Sequence, residues 1–451
     1  MSGRGIISRD TVSILFREPA MKSISFVLIL AVCSSVCQAD DDLKERIKDE
    51  HARDADHWIY NDIAAGFREA KRTGKPLFVT FRCVPCQDCL SFDGEVASGN
   101  DKVKALAAEK FICVRQVEMK GVDLSLFQFD HDLNWAGMFL NADETIYARY
   151  GTQSEQGADA YNSVDGLVNT MQHVLKLHAE YPQNKSLLAG KRATQKPWKT
   201  ALDMPTLHPN LRKGGQTTRS NCIHCHNIHD AEHEYWKQQG TMSHDRLWRY
   251  PLPENLGLTV DPQDGRTVRS VAPDSPADRA GVKQGTKLHT VNGQAVSSVA
   301  DLQWVLHGLP NTDGQNVTMR FEGESTKTLA LQAGWKKTAI SWRGSMWSLS
   351  PKLRIWMPPL NSFERDEAGL DEDDGAVLVK WINQKEAGGK AAIRAGLRQG
   401  DIVILVDGKP IARGRGRFNE FVKLNYKVGD EVAVTILRKE QERVVKLPLV
   451  E

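Results

Sequence analysis

Hydrophobic and polar positions change their spacing several times along the chain. Ile24 to Val32 is an unbroken apolar run after Met21-Lys22, and residues 40–56 are charged with no periodic apolar face. Ile63, Phe67 and Ala70 then recur at helical spacing, and Thr73-Gly74-Lys75-Pro76 stops that helix. Leu77-Phe78-Val79-Thr80-Phe81 reads as a buried strand, followed by a cysteine-rich turn, a helix, and a second helix near Val103 to Ala108. Phe111-Ile112-Cys113-Val114 is a further strand. Met138-Phe139-Leu140 and Thr145-Ile146-Tyr147 flank Asn141-Ala142-Asp143-Glu144 as a hairpin. Strands alternating with helices and closing on a hairpin predict a small α/β domain.

Residues 161–190 carry one helix, marked by Val168, Met171, Val174 and Leu175. From there to about 255 the chain is rich in Lys, His, Gly and Pro, and is expected to lack an independent core. Two later segments repeat one order of signals. Ser275-Pro276-Ala277-Asp278-Arg279-Ala280-Gly281 leads to Gln284-Gly285 and Val291-Asn292-Gly293; Lys390-Ala391-Ala392-Ile393-Arg394-Ala395-Gly396 leads to Gln399-Gly400-Asp401 and Val406-Asp407-Gly408. A short helix ending at glycine, a strand and an Asn-Gly or Asp-Gly turn, twice, mean a duplicated small domain.

The length of 451 residues fits about three domains. The positive start, short apolar core and Cys37-Gln38-Ala39 read as a secretory signal over residues 1–39, with Met21 the expected start; the alternatives are an uncleaved anchor or a lipid anchor at Cys33. Without that segment the chain holds 55 residues of each charge sign. The balance lacks the basic excess of a nucleic-acid binder, and no later segment reads as transmembrane. An exported, periplasmic or secreted protein follows. Six cysteines remain, at Cys83, Cys86, Cys89, Cys113, Cys222 and Cys225. Close pairs outside the cytoplasm suggest redox or cofactor chemistry.

The strand, cysteine turn and helix resemble a thioredoxin-like domain over residues 57–152. Such a domain places a Cys-x-x-Cys at a helix N-terminus, where backbone N–H groups stabilise a thiolate. Cys83-Val84-Pro85-Cys86 and Cys86-Gln87-Asp88-Cys89 compete for that role. The resemblance implies Cys86 as attacking thiol, Cys89 as resolving thiol and Cys83 as a third participant. Where the family has a cis-proline loop, this chain reads Asn134-Trp135-Ala136-Gly137. A permanent disulfide, or a metal held with Cys113 as fourth ligand, are the other readings, although Cys113 sits mid-strand as a core residue would.

Ser220-Asn221-Cys222-Ile223-His224-Cys225-His226 contains the c-type haem attachment pattern. Cys222 and Cys225 would form thioethers and His226 would ligate iron, with Met242 or His244 expected opposite and His208, His229 and His233 competing. His229-Asp230-Ala231-Glu232-His233 opens two alternatives: zinc on Cys222, Cys225, His229 and His233, or a plain thiol redox turn.

The repeat resembles bacterial PDZ domains, over 254–334 and 338–450. In the first, Leu256-Gly257-Leu258-Thr259 matches the loop that binds a C-terminal carboxylate, and Ala300 to His307 is the expected groove helix. In the second, a helix is expected near Phe418 to Leu424. Arg343-Gly344-Ser345-Met346-Trp347 is the candidate loop, set apart by a polar insert from Asn361 to Asp374. Such modules often accompany trypsin-like proteases. No Gly-x-Ser-x-Gly elbow occurs here, and protease activity is not expected.

The expected architecture is therefore an α/β multidomain chain: a thioredoxin-like α/β domain, a short haem-binding helical segment over 153–253, and two PDZ-like partly open β-barrels. The expected function is haem redox or electron transfer, with envelope proteins or C-terminal peptides recruited by the PDZ grooves. The alternative is a non-catalytic scaffold with zinc or a disulfide at Cys222/Cys225.

Overall fold

The computed structural model describes residues 42–52, 57–84, 90–157, 159–193, 197–214, 216–323 and 326–451. The segment expected to be a secretory signal, Cys86 and Cys89 lie outside the described residues.

The first domain is a five-stranded sheet, ordered β1-β3-β2-β4-β5. Its strands are β1 (Trp58–Tyr60), β2 (Leu77–Arg82), β3 (Ile112–Gln116), β4 (Trp135–Leu140) and β5 (Ile146–Tyr150). The first three are parallel; β4 and β5 run antiparallel. Helix α1 (Ile63–Thr73) starts at Asp62, whose carboxylate accepts from Ala65 N at 2.8 Å, and stops at Gly74 in the left-handed region. Gly66 lets α1 lie close on the sheet: a Cβ there would meet Val114 Cγ2 at 2.4 Å. Helix α2 is Leu90–Gly94, and α3 (Asp101–Lys110) is capped by Asn100.

Phe78, Cys113, Trp135, Phe139 and Tyr147 pack on one face of the sheet against Leu167, Met171 and Val174 of α4 (Val164–Ala179). The other face holds Leu77, Val79, Phe81, Val114, Met138 and Leu140. It is covered by Ala201, Met204, Leu207, Ile223, Cys225, Ile228 and Ala231. The stretch expected to lack a core therefore borrows one. Its apolar residues are spread singly, and each buries its side chain against the sheet, worth up to ~1.5–3 kcal/mol for a large aliphatic one. The Cys-x-x-Cys-His segment stands at the start of α5 (His226–Gln238), which belongs to this body.

The first repeat pairs β6 (Leu258–Val260) with β7 (Val268–Val271) and sets β8 (Leu288–Val291), β9 (Gln315–Phe321) and β10 (Lys327–Leu331) in a second sheet. Its helix α6 (Val299–His307) buries Leu302 and Leu306 in its own core, as the sequence pattern implies. The opposite side docks on the first domain. Asp301 accepts from Arg149 N at 3.0 Å and from Lys191 Nζ at 2.9 Å, and Trp304 Nε1 donates to Gly190 O at 2.9 Å.

In the second repeat β11 (Ile355–Trp356) pairs antiparallel with β13 (Trp381–Ile382), while β12 (Val377–Leu378), β14 (Ile402–Val406), β15 (Glu431–Arg438) and β16 (Gln441–Pro448) form the other sheet. Helix α7 (Arg417–Asn425) closes its core through Phe418 and Val422. The polar insert folds as a helix, Ser362–Ala368, with an Asn361/Glu364 capping box.

Candidate functional sites: a buried thiol cluster and two peptide loops

The end of β2 carries Cys83, whose N–H donates to Asn134 O at 3.2 Å. The Asn134 carbonyl, at the place of the missing cis-proline, is thus spent inside the domain. The Cys83 sulfur lies 3.2 Å from His224 Nδ1. His224 stands between Cys222 and Cys225, and the charge of a Cys83 thiolate contributes to raising both of their pKa values. Two motifs that are 139 residues apart in the chain, Cys83 and Cys222, therefore meet at one place. The sequence holds no signal for that meeting, because it depends on residues 198–231 folding back over the sheet.

The surroundings favour the neutral forms of Cys222, Cys225 and His224. Burial, then Glu118 and Cys83, push the Cys222 thiol up to about 12, and burial pushes Cys225 higher still. Burial, then His226 and Arg219, pull the His224 imidazole down to about 4. Thiols held protonated are poor nucleophiles. Cys113 is buried on β3, its Sγ 3.5 Å from Ala107 O, and belongs to the core as expected.

A haem bound through Cys222, Cys225 and His226 would need both sulfurs and the imidazole to face one space the width of a porphyrin. Here Cys222 Sγ donates to Val117 O at 3.6 Å and Cys225 is packed among core residues, with Ile223 fully buried between them. His226 Nδ1 lies 3.2 Å from Asp230, and the Gly344 backbone backs the ring so closely that a Cβ there would stand 3.2 Å from Cγ. Residues packed in this way do not fit the group. The expected opposite ligands are also misplaced. From His226, α5 rises ~18 Å to Gln238. Met242 and His244 lie beyond that far end, lining a cleft with His233, Lys237 and Lys423.

The zinc alternative is likewise not assembled. His229 Nδ1 is 2.9 Å from Asp132, and His233 Nδ1 is 3.1 Å from Ser348 Oγ, both on the side of α5 that meets residues 343–348. Among the described residues, Asp130, Asp132 and His229 form a group whose ligand atoms lie within 4.8 Å of one another. Arg343 already supplies the cation there, with Nη1 at 2.7 Å from Asp130 and 3.2 Å from Asp132.

That contact corrects the reading of the second peptide loop. Gly344–Ser348 is a short 3-10 turn docked on α5, and Ser345 N donates to Asp132 at 2.8 Å. The segment that corresponds to the first repeat's loop is Leu353-Arg354-Ile355. In the first repeat Gly257 has φ 82° and its C=O accepts from Ala272 N at 2.8 Å; in the second Arg354 has φ 57° and its C=O accepts from Asn383 N at 3.0 Å. The two are equivalent, but arginine at a left-handed position hides the signal that glycine gives. Lys423, near the end of α7, donates to Leu349 O and Pro351 O and holds the lead-in to this loop.

The two modules differ in access. Leu256 and Leu258 are buried, Thr259 is half-buried, and all residues from Val299 to Leu306 are buried between the first PDZ core and the first domain. In the second, Trp356 and Trp381 are 38% and 53% exposed side by side on paired strands. Among the described residues no strand pairs with the outer edge of β11.

A thioredoxin-like family model matches residues 58–142, and a PDZ domain model matches residues 255–330 and 371–449. The chain thus carries a thioredoxin-like domain followed by two PDZ domains, an assembly suited to binding proteins. Similar proteins include one described as "Probable periplasmic serine endoprotease DegP-like" from Marinomonas sp. (strain MWYL1), 27% identical over 42% of this chain and 37% of that protein. Another with the same description, from Halomonas elongata, is 28% identical over 34% of this chain and 31% of that one. The chain spans about a third of the length of these relatives. Solved structures that match include the HtrA-type protease AlgW with decapeptide, at 20% identity and TM-score 0.18 over 22% of this chain and 28% of that one. The HtrA3 PDZ domain bound to a phage-derived ligand matches at 16% identity and TM-score 0.17, over 21% of this chain and 81% of that one. Among the described residues no helix is long and apolar enough to cross a membrane.

Proposed function

We propose that this chain is an extracytoplasmic scaffold that captures protein C-termini through its second PDZ domain. The thioredoxin-like domain and the first PDZ domain form the body that positions it. The observation that carries this reading is the Leu353-Arg354-Ile355 loop leading into an unpaired strand edge flanked by the exposed Trp356. A peptide would add beside β11, place its carboxylate at the loop, and set alternate side chains against Trp356. The relatives' printed description, periplasmic, supports export. A labelled apolar pentapeptide ending in a free valine carboxylate is expected to bind the full chain, and its amidated form not to. Trp356→Ala is expected to weaken binding about tenfold, ~1.4 kcal/mol. Equal binding of the amidated peptide would remove carboxylate capture.

The misfit at Cys222, Cys225 and His226 leads us to leave haem out. Protein matured in a haem-attaching host is expected to show no haem retained after acid-acetone extraction. A retained c-type spectrum would restore the electron-transfer reading. A second reading, thiol exchange, is favoured by the Cys83–His224 contact. In it a Cys-x-x-Cys dithiol would be oxidised to a disulfide as a partner's disulfide is reduced to two thiols. Differential alkylation across a glutathione redox series tests it: Cys83, Cys222 and Cys225 labelled alike at every poise would exclude them from the exchange.

A further inference from the structure

A cleft of about 540 Å³ lies where the thioredoxin-like domain, the segment before α5, α5 itself and the first PDZ domain meet. Its volume is that of a small-molecule site. Trp198, Tyr235, Trp236, Tyr250, Trp304 and His307 line it. The rings are fixed: Trp198 meets Tyr235 edge-on at 4.9 Å, and Tyr250 stacks on His307 at 4.1 Å. Guanidinium groups hold two of the tryptophans, Arg149 at 3.7 Å from Trp304, and Arg246 and Arg249 at 4.7 and 4.9 Å from Trp236. None of this belongs to either peptide loop or to the thiol cluster.

Polar atoms around the cleft lack partners. Gln128, 1% exposed, lines it; its Oε1 accepts from Ala193 N at 3.0 Å, which fixes the carboxamide and leaves Nε2 without a partner. Arg149 Nη1 and Arg249 Nη2, on the two guanidinium groups stacked against its tryptophans, are also buried and unpartnered. A buried donor left unmade costs about 1–3 kcal/mol, and more on a charged group. Gln128 Nε2, on the cleft wall that also carries the Arg246 guanidinium, points to a ligand that accepts. The charge balance agrees in sign. Glu232 on the cleft wall is taken by Arg249 at 2.6 Å, which leaves the Arg246 charge on that wall in excess.

We propose that this cleft binds a small planar aromatic carboxylate. The ring lies among the tryptophans, and the carboxylate accepts from Gln128 Nε2 and from the guanidinium edge. The ligand is an anion rather than a cation because the wall offers the Gln128 Nε2 donor and the Arg246 charge, while the Glu232 carboxylate there is neutralised by Arg249.

Indole-3-acetate, indole and tryptamine serve as probes, followed by calorimetry on the full chain. Indole-3-acetate is expected to bind at least tenfold more tightly than neutral indole, and tryptamine more weakly than either. Gln128→Glu keeps the acceptor for Ala193 N and replaces the donor by a negative charge; it is expected to weaken indole-3-acetate at least tenfold and to leave indole unchanged. Gln128→Leu is expected to fall between. No heat with indole-3-acetate at millimolar concentration, tryptamine binding as tightly as indole-3-acetate, or Gln128→Glu binding like the native chain would each overturn the proposal.

Discussion

Replacing Arg343 by methionine is expected to destabilise the protein by about 3–5 kcal/mol, the usual effect of stripping one partner from a buried ion pair. Nη1 of Arg343 lies 2.7 and 2.8 Å from the two oxygens of Asp130 and 3.2 Å from Asp132, and Nη2 donates to Arg249 O at 2.7 Å. All three side chains are at most 5% exposed. Burial alone would raise the Asp132 carboxyl, but His229 and Arg343 hold it well below the usual carboxylate range. Without the guanidinium two carboxylates would face each other dry. The double variant Arg343→Met with Asp130→Asn is expected to recover part of the loss, since it removes one stranded charge. Arg343→Lys is expected to fall in between, because one ammonium can take the place of Nη1 between the carboxylates but leaves Arg249 O without its Nη2 donor. Urea unfolding of the full chain reads all three. A loss under 1 kcal/mol for Arg343→Met would mean that the docking of residues 343–348 does not depend on this network.

The same arginine shows how far the sequence could be read. Helices and strands with an unbroken period were legible: α1 from Ile63, Phe67 and Ala70, β2 from its apolar run, and α6 and α7 from the repeat. Those elements bury a whole face, so their pattern is dense. The placement of Arg343-Gly344-Ser345 was not legible. A Gly-containing turn before a strand resembles a peptide loop locally, and what decides its role is Asp130 and Asp132, more than two hundred residues earlier. Arg354, at the position that corresponds to Gly257, carries no glycine to mark its positive φ. The packing around the cysteine motif near 222 was not legible for a third reason. Its spacing states which groups stand on one turn, but Cys225 faces the core, because Ile223, Ile228 and Ala231 anchor that turn to the sheet. Spacing fixes neighbours along the chain; burial across the chain fixes chemistry.

Acid is expected to loosen this protein well above the pH at which its carboxylates titrate. Three histidines are held neutral by their surroundings. Burial first, then nearby cations, pull His173 and His233 down to about 3, and burial with His226 and Arg219 pulls His224 down to about 4. Unfolded, each takes a proton near its model value of 6.5. Between 6.5 and those depressed values the unfolded chain binds more protons than the folded one, so stability rises with pH and is lost as pH falls through that window. At ~1.4 kcal/mol per unit the loss amounts to a few kcal/mol for each histidine, of the order of a domain's whole stability. The three sit at contacts between parts of the chain: His173 on Ser297 at 2.9 Å, His233 on Ser348 at 3.1 Å, and His224 on the Cys83 sulfur. Protonation would therefore first release the first PDZ domain from α4 and the Gly344–Ser348 turn from α5. Unfolding midpoints followed from neutral pH down to about 4 are expected to fall steadily, and His233→Gln, which takes up no proton, to fall less steeply than the native chain. A native midpoint flat across that range, or a variant with the native slope, would show that these imidazoles reach water and titrate alike in both states.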